Sequence, residues 1–248
     1  VYAWSLWDKF TPLSFLKEDW FILSWAARWL GSSKSATMYE DMEGKVDTRD
    51  DSALLENIWL LLDEADVVVT QNGIKFDARK LNARFLANGY QKPSPYRHID
   101  TLRIAKKEFG FTSNKLEYMT DRFCTKYKKL KHGNFAGMSL WLECLQENPK
   151  AWKEMKKYNK YDTLSLEELY MLVRGWDSKH PNFALYNDAE EAQCNTCGST
   201  ELEENGFAYT NSSKFQRYRC TNCGKPDLRG KINLLTKEKR QTLMMNVL

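Results

Sequence analysis

Val67-Val68-Val69-Thr70 runs into Gln71-Asn72-Gly73-Ile74-Lys75-Phe76-Asp77, and this junction decides the fold. A short run of apolar and β-branched residues is typical of a buried strand, and Asn-Gly closes it. A helix is predicted from Phe76 to about Asn88-Gly89, where the glycine marks its end. An aspartate at such a junction stands at the carboxyl end of a sheet, where open α/β folds place ligands.

Upstream of the junction, Asp50-Asp51-Ser52 caps a predicted amphipathic helix to about Ala65, with Leu54, Leu55, Ile58, Leu61 and Leu62 on one side. Further upstream, Val1 to Trp7 alternates, Asp19 to Leu30 is an aromatic run closed by Gly31, and Ala36 to Met42 reads as another strand. Trp4, Trp7, Trp20, Trp25 and Trp29 are read as sheet packing. Downstream, His98-Ile99-Asp100 is a short strand followed by a helix from Thr101, and helices are expected near 115–124, 138–147 and 151–175. This alternation of strands and helices predicts a mixed α/β sheet domain.

A second carboxylate stands out in Tyr158-Asn159-Lys160-Tyr161-Asp162. Tyr158 and Asp162 are four residues apart, so a helix aims both at the face that carries Met155, Leu166 and Leu169. An apolar face offering a phenol and an acid is either a buried hydrogen-bonded pair or a metal site. Asp77 likewise has a plain alternative, as an acid complementing a helix dipole.

The cysteines carry the most specific spacing. Cys194-Asn195-Thr196-Cys197-Gly198 and Cys220-Thr221-Asn222-Cys223-Gly224 are two knuckles with the separation of a zinc ribbon, a closed structural site with no open position for substrate. Cys124 and Cys144 sit in apolar helical patterns, so a disulfide framework is not expected and the chain reads as intracellular and reduced. Between the knuckles, Phe207, Tyr209, Phe215 and Tyr218 either stack bases or form the ribbon's small core, and at least two are assigned to core.

With 248 residues, 42% of them hydrophobic and 13% aromatic, the chain is large enough for a substantial core and is not disordered. No apolar run approaches the roughly 18 residues of a membrane span, and the first residues do not form a secretory signal. The net charge of +4 decides little, but its distribution is uneven. Residues 103–132 carry nine Lys/Arg against three acids, with Lys126, Lys128, Lys129 and Lys131 nearly consecutive, and residues 214–240 carry nine against two. Residues 188–204 carry six acids and no base. Two basic stretches suit a phosphate backbone, the alternative being an ordinary solvated surface.

Taken together, Asn72-x-x-x-Phe76-Asp77 after an apolar strand and Tyr158-x-x-x-Asp162 on a late helix resemble the second and third motifs of DEDDy-type 3′–5′ exonucleases. These share the ribonuclease H-like fold with polymerase proofreading domains. Phe76 to Phe85 and His98 to Leu102 are similar to family phrases, and the flavour resembles phage and bacterial stand-alone members. The resemblance covers residues 1–176, and it implies a ribonuclease H-like mixed sheet flanked by helices.

It further implies a two-metal site holding Mg²⁺ or Mn²⁺, with Asp77 and Asp162 as ligands and Tyr158 orienting the attacking water. Asn72 would tie the strand end to backbone or substrate, Lys126, Lys128 and Lys129 would contact the nucleic acid, and Asp100 would be structural. Tyr161 has no assigned role. The implied partner is nucleic acid, DNA ahead of RNA, with a replication or repair protein docking through the ribbon. The implied location is the cytoplasm of a bacterial or phage-infected cell.

The family's Asp-x-Glu on the first strand is not found at the end of an apolar strand in the first 40 residues. The expectation is therefore a sequence that begins inside a longer gene product, lacks its first strand and has little activity by itself. The expected organisation is an exonuclease domain over 1–176, a linker over 177–190, a zinc ribbon over 191–232 and a tail over 233–248. A different class remains open: a non-catalytic nucleic-acid-binding protein on a degenerate ribonuclease H-like scaffold.

Overall fold

The computed structural model describes residues 19–128, 134–135, 137–186 and 188–244. The expected strand at Val1–Trp7 and the side chain of Lys129 lie outside them. In chain order the elements begin with β1 (Ser24–Ala27), β2 (Met38–Asp41), α1 (Ser52–Glu64), β3 (Val67–Thr70) and α2 (Asp77–Ala87). They continue with β4 (Arg97–Asp100), α3 (Thr101–Glu108), α4 (Leu116–Phe123), α5 (Ser139–Leu145) and α6 (Pro149–Val173). The last are β5 (Leu202–Thr210), β6 (Ser213–Cys220), β7 (Leu228–Asn233) and α7 (Lys237–Gln241). Among the described residues the fold is mixed α/β, with three small sheets and helices. Its contacts divide it into two compact units, one of residues 1–65, 78–95 and 130–163, the other of 66–77, 96–129 and 164–248.

In the first unit β1 and β2 pair antiparallel, Ser24 opposite Asp41. The strand expected from the aromatic run is only four residues long, because Gly31, in the left-handed region at φ 78°, turns the chain away soon after it. Met42, Val46 and Leu54 pack with Leu140, Cys144, Trp152 and Met155 in one buried cluster, and Trp25 lies against it with its indole N–H donated to the Leu54 carbonyl at 3.1 Å. Trp29, by contrast, is exposed. Helix α1 buries Leu54, Leu55, Ile58 and Leu62 as its periodicity predicts.

The N-terminus of α1 departs from the capping pattern. Asp51 occupies the cap position but makes no side-chain cap bond. Its fully buried carboxylate instead accepts from the Ile22 N–H at 2.8 Å and from Arg84 Nε and Nη2 at 3.0 and 2.6 Å. A buried ion that collects three donors from distant segments is held as structure, since an unpaired charge there is costly.

In the second unit β3 and β4 are parallel, in the register Val67↔Arg97 to Thr70↔Asp100. The apolar run of β3 reads as a buried strand, yet all four residues are half-buried, because among the described residues its only strand neighbour is β4. Ile99, Ile104, Met119, Leu169 and Tyr170 form the core beside this pair. Cys124 is buried with them and Cys144 in the first unit's cluster, and burial pushes each thiol up to about 12, which suits packing rather than metal binding. Among the described residues no helix is long and apolar enough to cross a membrane.

Candidate functional site

Parallel pairing brings the ends of β3 and β4 side by side, so the loop after Thr70 meets the acid that ends β4. Asn72 takes a left-handed conformation at φ 65°, and its N–H donates to Asp100 Oδ1 at 2.8 Å. The Leu102 N–H donates to the same oxygen at 3.0 Å, which makes Asp100 the N-cap of α3. Thr101 Oγ1 donates to the Thr70 carbonyl and to Gln71 Oε1. Gly73 is needed where it stands, because a Cβ there would collide with the Thr70 side chain. The Asn72 carbonyl then accepts from the N–H groups of Lys75 and Phe76, a turn that delivers Asp77 as the first residue of α2.

Asp77 is exposed as a residue, but its carboxyl group titrates above the ordinary aspartate value. Loss of hydration is the main cause, opposed by a backbone hydrogen bond, and the nearby Asp100 charge raises it further. An acid made reluctant to ionise, chiefly by burial and further by a second acid, is stabilised in its charged form by a nearby cation. Beside β4 lies a cleft of about 480 Å³ with a mixed lining, in which Arg97, Arg103, Lys107 and Lys179 are offset by Asp100 and Asp177 and much of the rest, including Ile74, Ile99 and Ile104, is apolar. Burial holds the His98 imidazole below its usual value, so it stays neutral near pH 7.

In the first unit, Tyr158 and Asp162 lie one turn apart on α6 and both are half-buried. The Tyr158 ring meets Trp141 edge-on at 6.3 Å between centroids. Tyr161 points elsewhere: Lys34 Nζ donates to its hydroxyl at 3.1 Å. Asn159, between them, donates to Ser24 Oγ at 2.7 Å and ties the helix to β1. An Asp-x-Glu does occur at Asp41-Met42-Glu43, at the end of β2, and alternation from the fully buried Met42 was the signal that points its two acids away from that core. Asp41 accepts from the Glu43 N–H at 3.2 Å and neighbours Tyr39, whose hydroxyl is pushed far up by burial and by the Asp41 charge.

Two of the predicted substrate-contact lysines are held by their surroundings. The Glu168 carboxylate accepts from the successive N–H groups of Thr125, Lys126 and Tyr127, at 2.6 to 3.2 Å, and so fixes the start of the lysine-rich segment. Burial pushes the Glu168 carboxyl up, but these backbone donors outweigh it and leave the group below the usual glutamate value. Lys128 Nζ donates to the Asp121 carbonyl at 2.9 Å and lies 3.6 Å from its carboxylate.

The four cysteines of the knuckles converge. Their sulfurs all lie within 4.8 Å of one another, with Cys194 to Cys223 and Cys197 to Cys220 each at 3.6 Å. Tetrahedral zinc with bonds of about 2.3 Å would set sulfurs about 3.8 Å apart, so the cluster fits a zinc ribbon. In each knuckle the glycine after the second cysteine has φ near +70° and donates its N–H to the first cysteine's carbonyl. Strands β5, β6 and β7 form an antiparallel sheet in that order behind the knuckles. Residues 175–183 pack against the ribbon: Lys225 Nζ donates to the Asp177 carbonyl at 2.7 Å, and the Phe183 N–H to the Asn195 carbonyl at 2.7 Å. Gly175 sits so close to the Cys223 carbonyl that a Cβ would strike it.

A family model described as the RNase_H superfamily matches residues 18–174, more than half the chain, and the chain belongs to that superfamily. Its scaffold is of the nuclease type, and nucleic acid is the substrate class that scaffold implies. Asp77, Tyr158 and Asp162 lie inside the matched span and the four knuckle cysteines outside it. No curated protein and no solved structure matches the chain.

Proposed function

We propose that this chain carries the body of a two-metal-dependent 3′–5′ exonuclease, with Asp77 and Asp162 as metal ligands and Tyr158 as the residue that orients the attacking water. The observation that carries the reading is the superfamily match over 18–174, which spans both motif-bearing segments. Mg²⁺ or Mn²⁺ would supply polarisation of the water and charge relief at the leaving 3′ oxygen. The Asp77 carboxyl, raised by burial and by Asp100, is a group whose ionised form a cation favours. The Tyr158 phenol, one helical turn from Asp162, offers a hydrogen bond to a water held beside that acid. Asn72 and the segment of Lys126, Lys128 and Lys129 position the nucleic acid, DNA ahead of RNA. The four thiols hold a structural Zn²⁺, and the ribbon also offers a surface to a replication or repair protein. The setting is the cytoplasm of a bacterial or phage-infected cell.

One observation favours the non-catalytic reading instead. The assigned metal ligands, Asp77 and Asp162, are two acids, fewer than the four that hold two ions in the exonucleases this chain resembles. Calorimetric titration with Mn²⁺ separates the two: the exonuclease reading predicts binding that disappears in Asp77→Asn. A protein that binds oligonucleotides but not Mn²⁺ would be the degenerate scaffold.

A further inference from the structure

The ribbon's sheet has one end that its own fold does not use. Phe215 is buried, and Tyr218 packs with Cys194, Cys220 and Leu228, so these two aromatics supply the ribbon's core. Phe207 and Tyr209, two residues apart on the edge strand β5, share one face and are 39% and 69% exposed. Their partners across β6 are Gln216 and Lys214. Lys214 Nζ lies 3.7 Å from the centroid of the Phe207 ring. At the far edge of the sheet, Ile232 and Leu234 are 78% and 46% exposed. The result is a flat aromatic and aliphatic surface with a lysine in it, at the end of the ribbon remote from the knuckles.

We propose that this face is a stacking platform for single-stranded nucleic acid, with one base on Phe207 in place of the Lys214 ammonium that covers that ring, the next base on Tyr209, and Lys214 moved onto the intervening phosphate. Charge favours that occupant, since residues 214–240 carry nine basic side chains against two acidic ones. Aromatic rings interleaved with cations are the recognised means of gripping a strand without reading its sequence. Spacing favours an unpaired strand. Side chains two residues apart on a strand are about 6.7 Å apart, roughly twice the 3.4 Å step of a stacked duplex. Only an extended, unstacked strand can therefore lay successive bases on both rings. Glu203 and Glu204, at the other end of β5, bound the platform with negative charge and direct the strand away from the knuckles.

This inference deepens the exonuclease reading and rests on it, because it makes a single-stranded tail the form of substrate the ribbon holds. The test is fluorescence anisotropy of the full zinc-loaded chain with labelled dT12, rU12 and a blunt duplex, in buffer with neither chelator nor added Mg²⁺ or Mn²⁺, so that the ribbon keeps its zinc and hydrolysis does not enter. Replacing a stacked ring by alanine costs about fivefold to a hundredfold in affinity. Phe207→Ala and Tyr209→Ala are each expected to weaken dT12 or rU12 binding within that range, with the duplex little affected and Tyr209→Phe close to wild type. Preference for dT12 or rU12 assigns DNA or RNA, and far-UV circular dichroism with bound-zinc content checks that the variants are folded. Equal binding by wild type and both folded alanine variants would overturn the platform and leave the face to a protein partner. Because the readout is binding without Mg²⁺ or Mn²⁺, loss of the exonuclease reading would appear separately, as a platform intact in a chain that does not cleave when those ions are added.

Discussion

In the ribbon, four thiols contributed by two short knuckles lie within 4.8 Å of one another, whereas the described carboxylates nowhere converge in threes. The contrast is one of construction. Each knuckle places two ligands three residues apart and turns its own backbone through a left-handed glycine, so a single antiparallel sheet has only to bring two preformed halves together. The acid-bearing strand end depends instead on pairing between β3 and β4, with Asp100 capping one helix while it holds the turn that leads into another. Local chemistry builds the first region, and long-range packing builds the second.

Metal removal should break the comparison most sharply. Structural zinc sites of this kind contribute about 10–16 kcal/mol in apparent binding free energy near neutral pH. Chelation, or Cys220→Ser with Cys223→Ser, is expected to release one equivalent of zinc by elemental analysis. Amide exchange of β5–β7 should then accelerate greatly while β3 and β4 keep their protection. Equal loss of protection throughout would mean that the ribbon is not a locally built module.

A smaller effect is expected where distant segments meet. Asp51→Ala leaves Arg84 without its buried partner and the Ile22 N–H without its acceptor. The expected cost is about 3–5 kcal/mol, read from the urea midpoint, with zinc content unchanged. The smallest effect concerns pH. The folded Glu168 carboxyl lies below the usual glutamate value, so it contributes stability above about pH 4.3, the ordinary unfolded value. That contribution is lost as the pH falls through the lower folded value. Comparing Glu168→Gln with wild type should show a difference in urea midpoint at pH 7 that shrinks toward pH 3, and a constant difference would rule the linkage out.

Much of this was legible in the sequence, for physical reasons that differ by element. The periodicity of α1 and the CxxCG spacing report on neighbours within a few residues, and the structure follows both. The Asn72–Asp77 junction was readable because a strand that stops and a helix that starts leave turn residues between them. Asp51 was not, since its cap position says nothing about Arg84 and Ile22, which reach it from elsewhere in the chain. The platform was half legible: composition offered four aromatics between the knuckles, but only strand register shows that Phe207 and Tyr209 share the outward face. Glu168 gave no signal, because its three backbone donors belong to a loop some forty residues earlier.

The most direct test is hydrolysis of a 5′-labelled single-stranded oligonucleotide in Mn²⁺ by the natural full-length protein. The account predicts stepwise shortening from the 3′ end, abolished by EDTA and by Asp77→Asn or Asp162→Asn, and greatly slowed by Tyr158→Phe. Hydrolysis that survives both aspartate substitutions, or no divalent-dependent hydrolysis at all, would contradict it.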